Sequence, residues 1–223
     1  MKKIIITGLL VLAFKLPADE VTNNFTITPA ATISVGNVFG VTEYFTVSGL
    51  TAPTASVRVN LNILGGFNGD LYAYLVNPLG QQAILLNRVG VTGSNLLGYS
   101  DAGFNITLDS ASGNNIHNYG VLGFGTNVAG QVTGVWAPDG RAIDPLSAGS
   151  AFDTALTTSG LNGLTNGNLN GTWTLFIADL GTGSGAATLQ SATVTVESTP
   201  EPSTFALMGL GVAGILARLR RKK

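Results

Sequence analysis

The sequence predicts an all-β protein, an antiparallel β-sandwich of jelly-roll type. Its composition favours many short strands joined by tight turns, because 30 residues are glycine and only 10% are charged. Several stretches alternate apolar and polar residues with a period of two, which is typical of strands buried on one face. Asx-Gly dipeptides such as Asn68-Gly69 and Asp139-Gly140 lie between these stretches and favour turns with positive φ angles.

The alternation is clearest in four segments, each of which predicts one strand. These segments are 56–63 (SVRVNLNI), 70–76 (DLYAYLV), 171–179 (GTWTLFIAD) and 191–197 (SATVTVE). In DLYAYLV, Tyr72 and Tyr74 share the face opposite the aliphatic residues. Shorter strands are predicted at 41–47, 83–86 and 104–108, whereas the Gly- and Asn-rich segment 110–172 predicts long loops. About eight strands without helical spacers favour antiparallel pairing.

The first 18 residues have the features of a secretory signal peptide. Lys2 and Lys3 precede an uncharged apolar stretch at 4–14, which is too short for a membrane span and is predicted to form the signal helix. The best small residue for cleavage is Ala18. Residues 19–40 then form an N-terminal extension or first strand, and residues 41–197 form the sandwich.

Residues 198–223 combine a proline-bordered acid, an apolar run and a basic tail. Phe205 to Ala217 carries no charge and predicts a C-terminal transmembrane helix, which Pro200 and Pro202 separate from the body. By the positive-inside rule, the basic tail stays on the cytoplasmic side. That tail consists of Arg218, Arg220, Arg221, Lys222 and Lys223.

This tail resembles a PEP-CTERM sorting signal, in which a Pro-Glu-Pro triplet precedes a Gly-rich apolar helix and an Arg/Lys end. The resemblance implies that an exosortase recognises Pro200, Glu201 and Pro202 and processes the chain near them. It also implies a transient membrane anchor, followed by release to the surface or exterior of a Gram-negative bacterium that makes exopolysaccharide. The alternative is a plain tail anchor, which has no need of two prolines and an acid at its border.

Charge and cysteine content exclude several classes of function. Between residues 19 and 199, three arginines stand against eleven acids, a net charge of −8. Such a body is a poor ligand for nucleic acid, which requires clustered Lys and Arg. The chain has no cysteine, which excludes disulfides, thiolate metal sites and cysteine nucleophiles.

Two stretches of the body resemble the ends of a P/Homo B domain, the β-sandwich that follows the catalytic domain of kexin- and furin-like proteases. The first carries its pattern through Gly69, Asp70, Leu71, Leu75, Pro78, Gly80 and Leu85. The second carries it through Gly171, Trp173, Leu175, Asp179, Gly185 and Leu189. Ala192 stands where that family often has Trp, and the middle of the chain departs from the pattern. These departures fit a free-standing P-like module better than a protease accessory.

Catalytic signatures are weak. A Ser-His-Asp triad would have to use His117, the only histidine, and the chain carries no nucleophile-elbow signature. We expect His117 to bond backbone in a loop. The acids show no spacing that would pair two carboxylates for glycoside hydrolysis. The sequence therefore predicts a protein that is not an enzyme.

Loop carboxylates make calcium the one metal that the sequence favours, and no other cofactor is predicted. They are Asp70, Asp101, Asp109, Asp139, Asp144 and Asp179. The alternative is that these residues cap turns and keep the surface soluble, which the absence of an EF-hand pattern favours.

The segment GVWAPDGRAIDP is the candidate ligand loop. Trp136 could stack on a sugar ring while Asp139, Arg141 and Asp144 bond its hydroxyls. In the alternative, Trp136 closes one end of the sandwich and Arg141 pairs with Asp144 or Asp139.

These observations together predict a non-catalytic, exosortase-sorted protein of the cell surface or extracellular matrix. Its predicted partners are the exosortase, the membrane during transit, and exopolysaccharide or other envelope components. The alternatives are a secreted hydrolase- or protease-associated protein and a carbohydrate-binding adhesin.

Overall fold

The computed structural model describes residues 21–50, 53–183, 185–198 and 211, and within them eleven strands form two sheets. The strands are β1 Val21–Ile27, β2 Ala31–Ile33, β3 Asn37–Val47, β4 Thr54–Leu64, β5 Leu71–Val76, β6 Gln82–Asn87, β7 Gly103–Asp109, β8 Gly125–Thr126, β9 Val132–Trp136, β10 Gly171–Asp179 and β11 Ala187–Ser198. The helices of this part are α1 Tyr119–Leu122, α2 Gly149–Thr154 and 3₁₀ turns at Asn68–Asp70, Ile116–Asn118 and Leu161–Leu164.

The larger sheet has the order β1-β11-β4-β7-β9-β8, with β2 also paired to β11. The smaller sheet has the order β3-β10-β5-β6, and its pairs are all antiparallel. The larger sheet contains one parallel pair, β7 with β9. The prediction of a wholly antiparallel sandwich is therefore wrong at this pair. Parallel neighbours need a crossover connection, and residues 110–131 supply it.

The core lies between the two sheets. Alternate residues of β4 and β11 face alternate residues of β5 and β10, so each strand buries one face, as the period-two pattern predicts. Trp173 is the largest fully buried side chain, and its indole nitrogen donates to the carbonyl of Leu169 at 2.9 Å. Burying this ring without an orphaned donor makes it a strong contributor to stability.

The seven predicted strands all occur, and β10 has the predicted bounds of 171–179. The prediction of loops throughout 110–172 is wrong in part, because β8, β9, α1 and α2 lie there. In β9 only Val132 and Trp136, at its two ends, are buried. Burial along β9 therefore does not alternate with a period of two, and the segment lacks the pattern by which the other strands were predicted.

The two Asx-Gly dipeptides named above, Asp139-Gly140 and Asn68-Gly69, adopt different structures. Gly140 has φ +70°, which confirms the predicted turn. Asn68-Gly69 instead begins a buried 3₁₀ turn, and Gly69 does not have the predicted positive φ. A Cβ on Gly69 would lie 2.4 Å from the carbonyl oxygen of Leu97, and this close approach explains the glycine.

The described body begins and ends at the same edge of the larger sheet. Val21, the first residue of β1, pairs with Ser198, the last residue of β11. The predicted signal helix and C-terminal transmembrane helix lie outside the described residues. Within the described part, no helix is long and apolar enough to cross a membrane.

Candidate functional site

The candidate ligand loop lies along the free edge of the smaller sheet. The amide of Asp139 donates to the carbonyl of Leu85 at 3.0 Å, and that of Gly140 donates to Ile84 at 3.0 Å. The loop thereby provides hydrogen-bond donors to two backbone carbonyls of β6, the edge strand of this sheet. This docking carries the side chain of Asp139 into the interior.

Asp139 is the centre of a buried polar cluster and is itself fully buried. Its carboxylate accepts from His117 Nδ1 at 2.7 Å and from Arg141 Nη1 at 3.1 Å. The backbone amide of Asn87 donates to it at 3.3 Å. A buried carboxylate needs such partners, because an unpaired one would carry a large desolvation penalty.

Both ring nitrogens of His117 are engaged, and the residue is only 2% exposed. Nδ1 faces the Asp139 carboxylate, and Nε2 lies 3.0 Å from the carbonyl oxygen of Val91, which agrees with the predicted backbone bond. Both nitrogens are therefore taken up by buried protein partners and are not presented to a substrate hydroxyl or a water molecule.

The structure brings only two of the four predicted ligand residues together. Arg141 pairs with Asp139, as in the alternative interpretation of this loop. Trp136 is 5% exposed, and its indole nitrogen donates to the carbonyl of Thr133 at 3.0 Å, so its ring offers no face for stacking. Asp144 is exposed and accepts from the amide of Leu146 at 2.9 Å.

The predicted calcium ligands are spread over the molecule. Asp101 accepts from the Tyr119 hydroxyl at 2.9 Å, and Asp109 pairs with Arg58 at 2.8 Å. Asp109, Asp144 and Asp179 each accept from the amide two residues further on, which is the turn-capping role of the alternative interpretation. Over the described residues, no three His, Asp or Glu side chains are grouped so that they could hold a metal ion.

Sequence reasoning missed the outward face of the smaller sheet. We call Tyr44, Tyr72, Tyr74 and Phe176 the aromatic face. The rings of Tyr74 and Phe176 stack at 4.8 Å and 17°, and Tyr72 meets them edge-on at 5.8 and 6.3 Å. Tyr44 is 62% exposed at the margin. The alternation of Tyr72 and Tyr74 with aliphatic residues is visible in the sequence. The strand register that places Phe176 beside Tyr74 is not.

Burial raises the pKa of three tyrosines, Tyr72, Tyr99 and Tyr119. Burial raises the pKa of Tyr72, with smaller contributions from Tyr74 and the Asp144 carboxylate. Burial also raises the pKa of Tyr119 far above its usual range, and its bond to Asp101 adds to this, whereas donation from Asn68 opposes it. The Tyr119 phenol therefore stays neutral well into alkaline pH.

The fold and these sites define a two-sheet β-sandwich with a closed polar cluster at one edge and an aromatic outward face. Beyond its last strand, residues 198–222 match the PEP-CTERM protein-sorting motif. Pro200, Glu201 and Pro202 and the basic tail as far as Lys222 lie in this motif. These residues and Lys223 lie outside the described residues. The motif implies export and processing by an exosortase.

Two solved structures are similar to the chain at 15% identity. One is a complex of the Aeromonas sobria serine protease with a chaperone, with a TM-score of 0.43 over 81% of this chain and 27% of that one. The other is the serine protease of Aeromonas sobria, with a TM-score of 0.42 over 82% and 28%. The chain thus spans little more than a quarter of their length. No curated protein sequence matches it.

Proposed function

We propose that this protein is exported, processed by an exosortase near Pro200 to Pro202, and delivered to the cell surface or extracellular matrix of a Gram-negative bacterium. There its sandwich serves as a structural or binding module. The observation that carries the proposal is the PEP-CTERM motif at 198–222. The predicted signal helix and transmembrane helix belong to the same proposal, because export requires the first and transient anchoring the second.

The position of β11 supports processing at the triplet. This strand lies between β1 and β4 and ends at Ser198, two residues before Pro200. Cleavage near the triplet therefore removes no strand of the described sheets. The released body keeps its complete hydrogen-bonded edge and its core.

We further propose that the sandwich is non-catalytic and P-like, with a jelly-roll arrangement. The engaged nitrogens of His117 support the first part. The P/Homo B likeness is supported by the two stretches that carry it, because they lie on neighbouring strands. Leu71 of β5 pairs with Asp179 of β10. A hydrolytic activity of the sandwich itself would need a nucleophile or base that this cluster does not supply.

The test is the intact mass of the protein from its native cells, measured separately in membrane and culture-medium fractions. We expect a body in the medium or on the outer surface that lacks both the N-terminal signal and the basic tail. A matched variant with Pro200, Glu201 and Pro202 replaced by alanine should keep its full tail in the membrane. A wild-type chain that keeps its full tail in the inner membrane would instead establish a stable anchor.

A further inference from the structure

We propose that the aromatic face binds an uncharged polysaccharide chain. This inference deepens the proposed function. It rests on that function because export to the cell surface would bring the protein into contact with a polysaccharide. It concerns a surface other than the candidate ligand loop, whose tryptophan is buried.

The outward positions of the smaller sheet carry no charged side chain. Its cross-strand rows run from Thr42 through Phe176 to Tyr74, and from Tyr44 through Thr174 and Val76 to Gln82. Ile84, which follows Tyr74 in the first row, is only 2% exposed and lies outside this surface. The outward face of the larger sheet differs. There Arg58 joins Asp109 and Glu197, and Asn60 bonds Thr107. The aromatic, uncharged surface is thus specific to one sheet.

Its chemistry suits sugar rings. Aromatic side chains offer a broad apolar surface on which the C–H faces of pyranose rings can pack, and each tyrosine adds a hydroxyl. The hydroxyls of Thr42 and Thr174 lie in the same rows and can bond sugar hydroxyls. Because Tyr72, Tyr74 and Phe176 pack against one another, their rings are already ordered before a ligand arrives.

The net charge of the body favours an uncharged ligand for the aromatic face. The body carries a net charge of −8 between residues 19 and 199, so it repels anionic polymers and a second copy of itself. An uncharged chain meets no such repulsion, and the face holds no charge that it would leave desolvated.

The proposal is tested on the full-length protein in detergent micelles by affinity electrophoresis. The gels contain dextran, a mixed-linkage β-glucan or galactomannan as uncharged probes, with alginate as the anionic probe. The variants are Tyr44→Ala and Tyr74→Ala, with Tyr74→Phe to retain the ring if the alanine variant fails to fold. Phe67→Ala is the matched control, because Phe67 is a 39% exposed aromatic residue outside this sheet.

We expect at least one uncharged polysaccharide to retard the protein. Each alanine variant should raise Kd by about tenfold or more, the scale of a central tyrosine in a binding surface. Phe67→Ala should leave Kd unchanged. The proposal is overturned if no uncharged probe retards the protein, if alginate retards it equally, or if the alanine variants bind as the wild type does.

A dimer that Tyr44→Ala dissociates without loss of polysaccharide binding would also overturn it and assign the face to a second copy. These gels do not depend on export. If no polysaccharide binds, the mass measurement still tests processing. If processing is not observed, the gels still test polysaccharide binding.

Discussion

Replacing Asp139 with alanine should destabilise the protein more than any change to an exposed acid of the same loop. The carboxylate is fully buried and accepts from His117 at 2.7 Å and from Arg141 at 3.1 Å. In the variant, His117 Nδ1 loses this partner within the interior. Removing one partner of a buried ion pair typically costs about 3–5 kcal/mol, and we expect a loss in that range.

The assay is urea unfolding followed by tryptophan fluorescence, since Trp136 and Trp173 are both buried and report on loss of the core. With a slope of about 2 kcal/mol per M, the expected loss lowers the midpoint by about 2 M. Asp144→Ala is the matched control, because Asp144 is exposed and caps only a turn, and it should change stability by about 0.5 kcal/mol or less. An Asp139→Ala variant within about 1 kcal/mol of wild type would refute the view that this cluster holds the loop in place.

Three further outcomes are expected. Stability should fall as pH rises above about 10, because the unfolded chain ionises Tyr119 there while burial keeps its folded pKa higher, and Tyr119→Phe should flatten this fall in alkaline urea titrations. Trp173→Ala should lose about 3–5 kcal/mol in urea unfolding, because it empties a fully buried site, and a smaller loss would mean that the core collapses around it. Arg58→Ala should lose about 1–3 kcal/mol at low salt and less at high salt, because Arg58 is 39% exposed but its partner Glu197 is only 9% exposed, and a salt-independent loss would contradict this.

The strands could be predicted where side chains alternate and one face is buried. Residues 171–179 meet both conditions, so β10 was predicted with its observed bounds. Strand β9 does not, because Gly134 has no side chain and Val135 points outward at 58% exposure. Its parallel pairing with β7 depends on a crossover that no local pattern encodes.

The sites were less accessible to sequence reasoning than the strands. His117 and Asp139 are 22 residues apart and meet only because the loop docks on the edge of β6. Half of the aromatic face was visible in the alternation of Tyr72 and Tyr74. The stacking of Phe176 on Tyr74 depends on the register of β10 against β5, which is set by the turns and core of the whole sandwich.

The pairing of Val21 with Ser198 gives the body one attachment pole. The described body therefore begins and ends on the same side of the sandwich. The opposite pole, where Leu97 is 77% exposed, lies beyond the 11-residue strand β4, about 36 Å away at 3.3 Å per residue. The loops at that opposite pole are therefore the part of the body farthest from the sorting motif that follows β11.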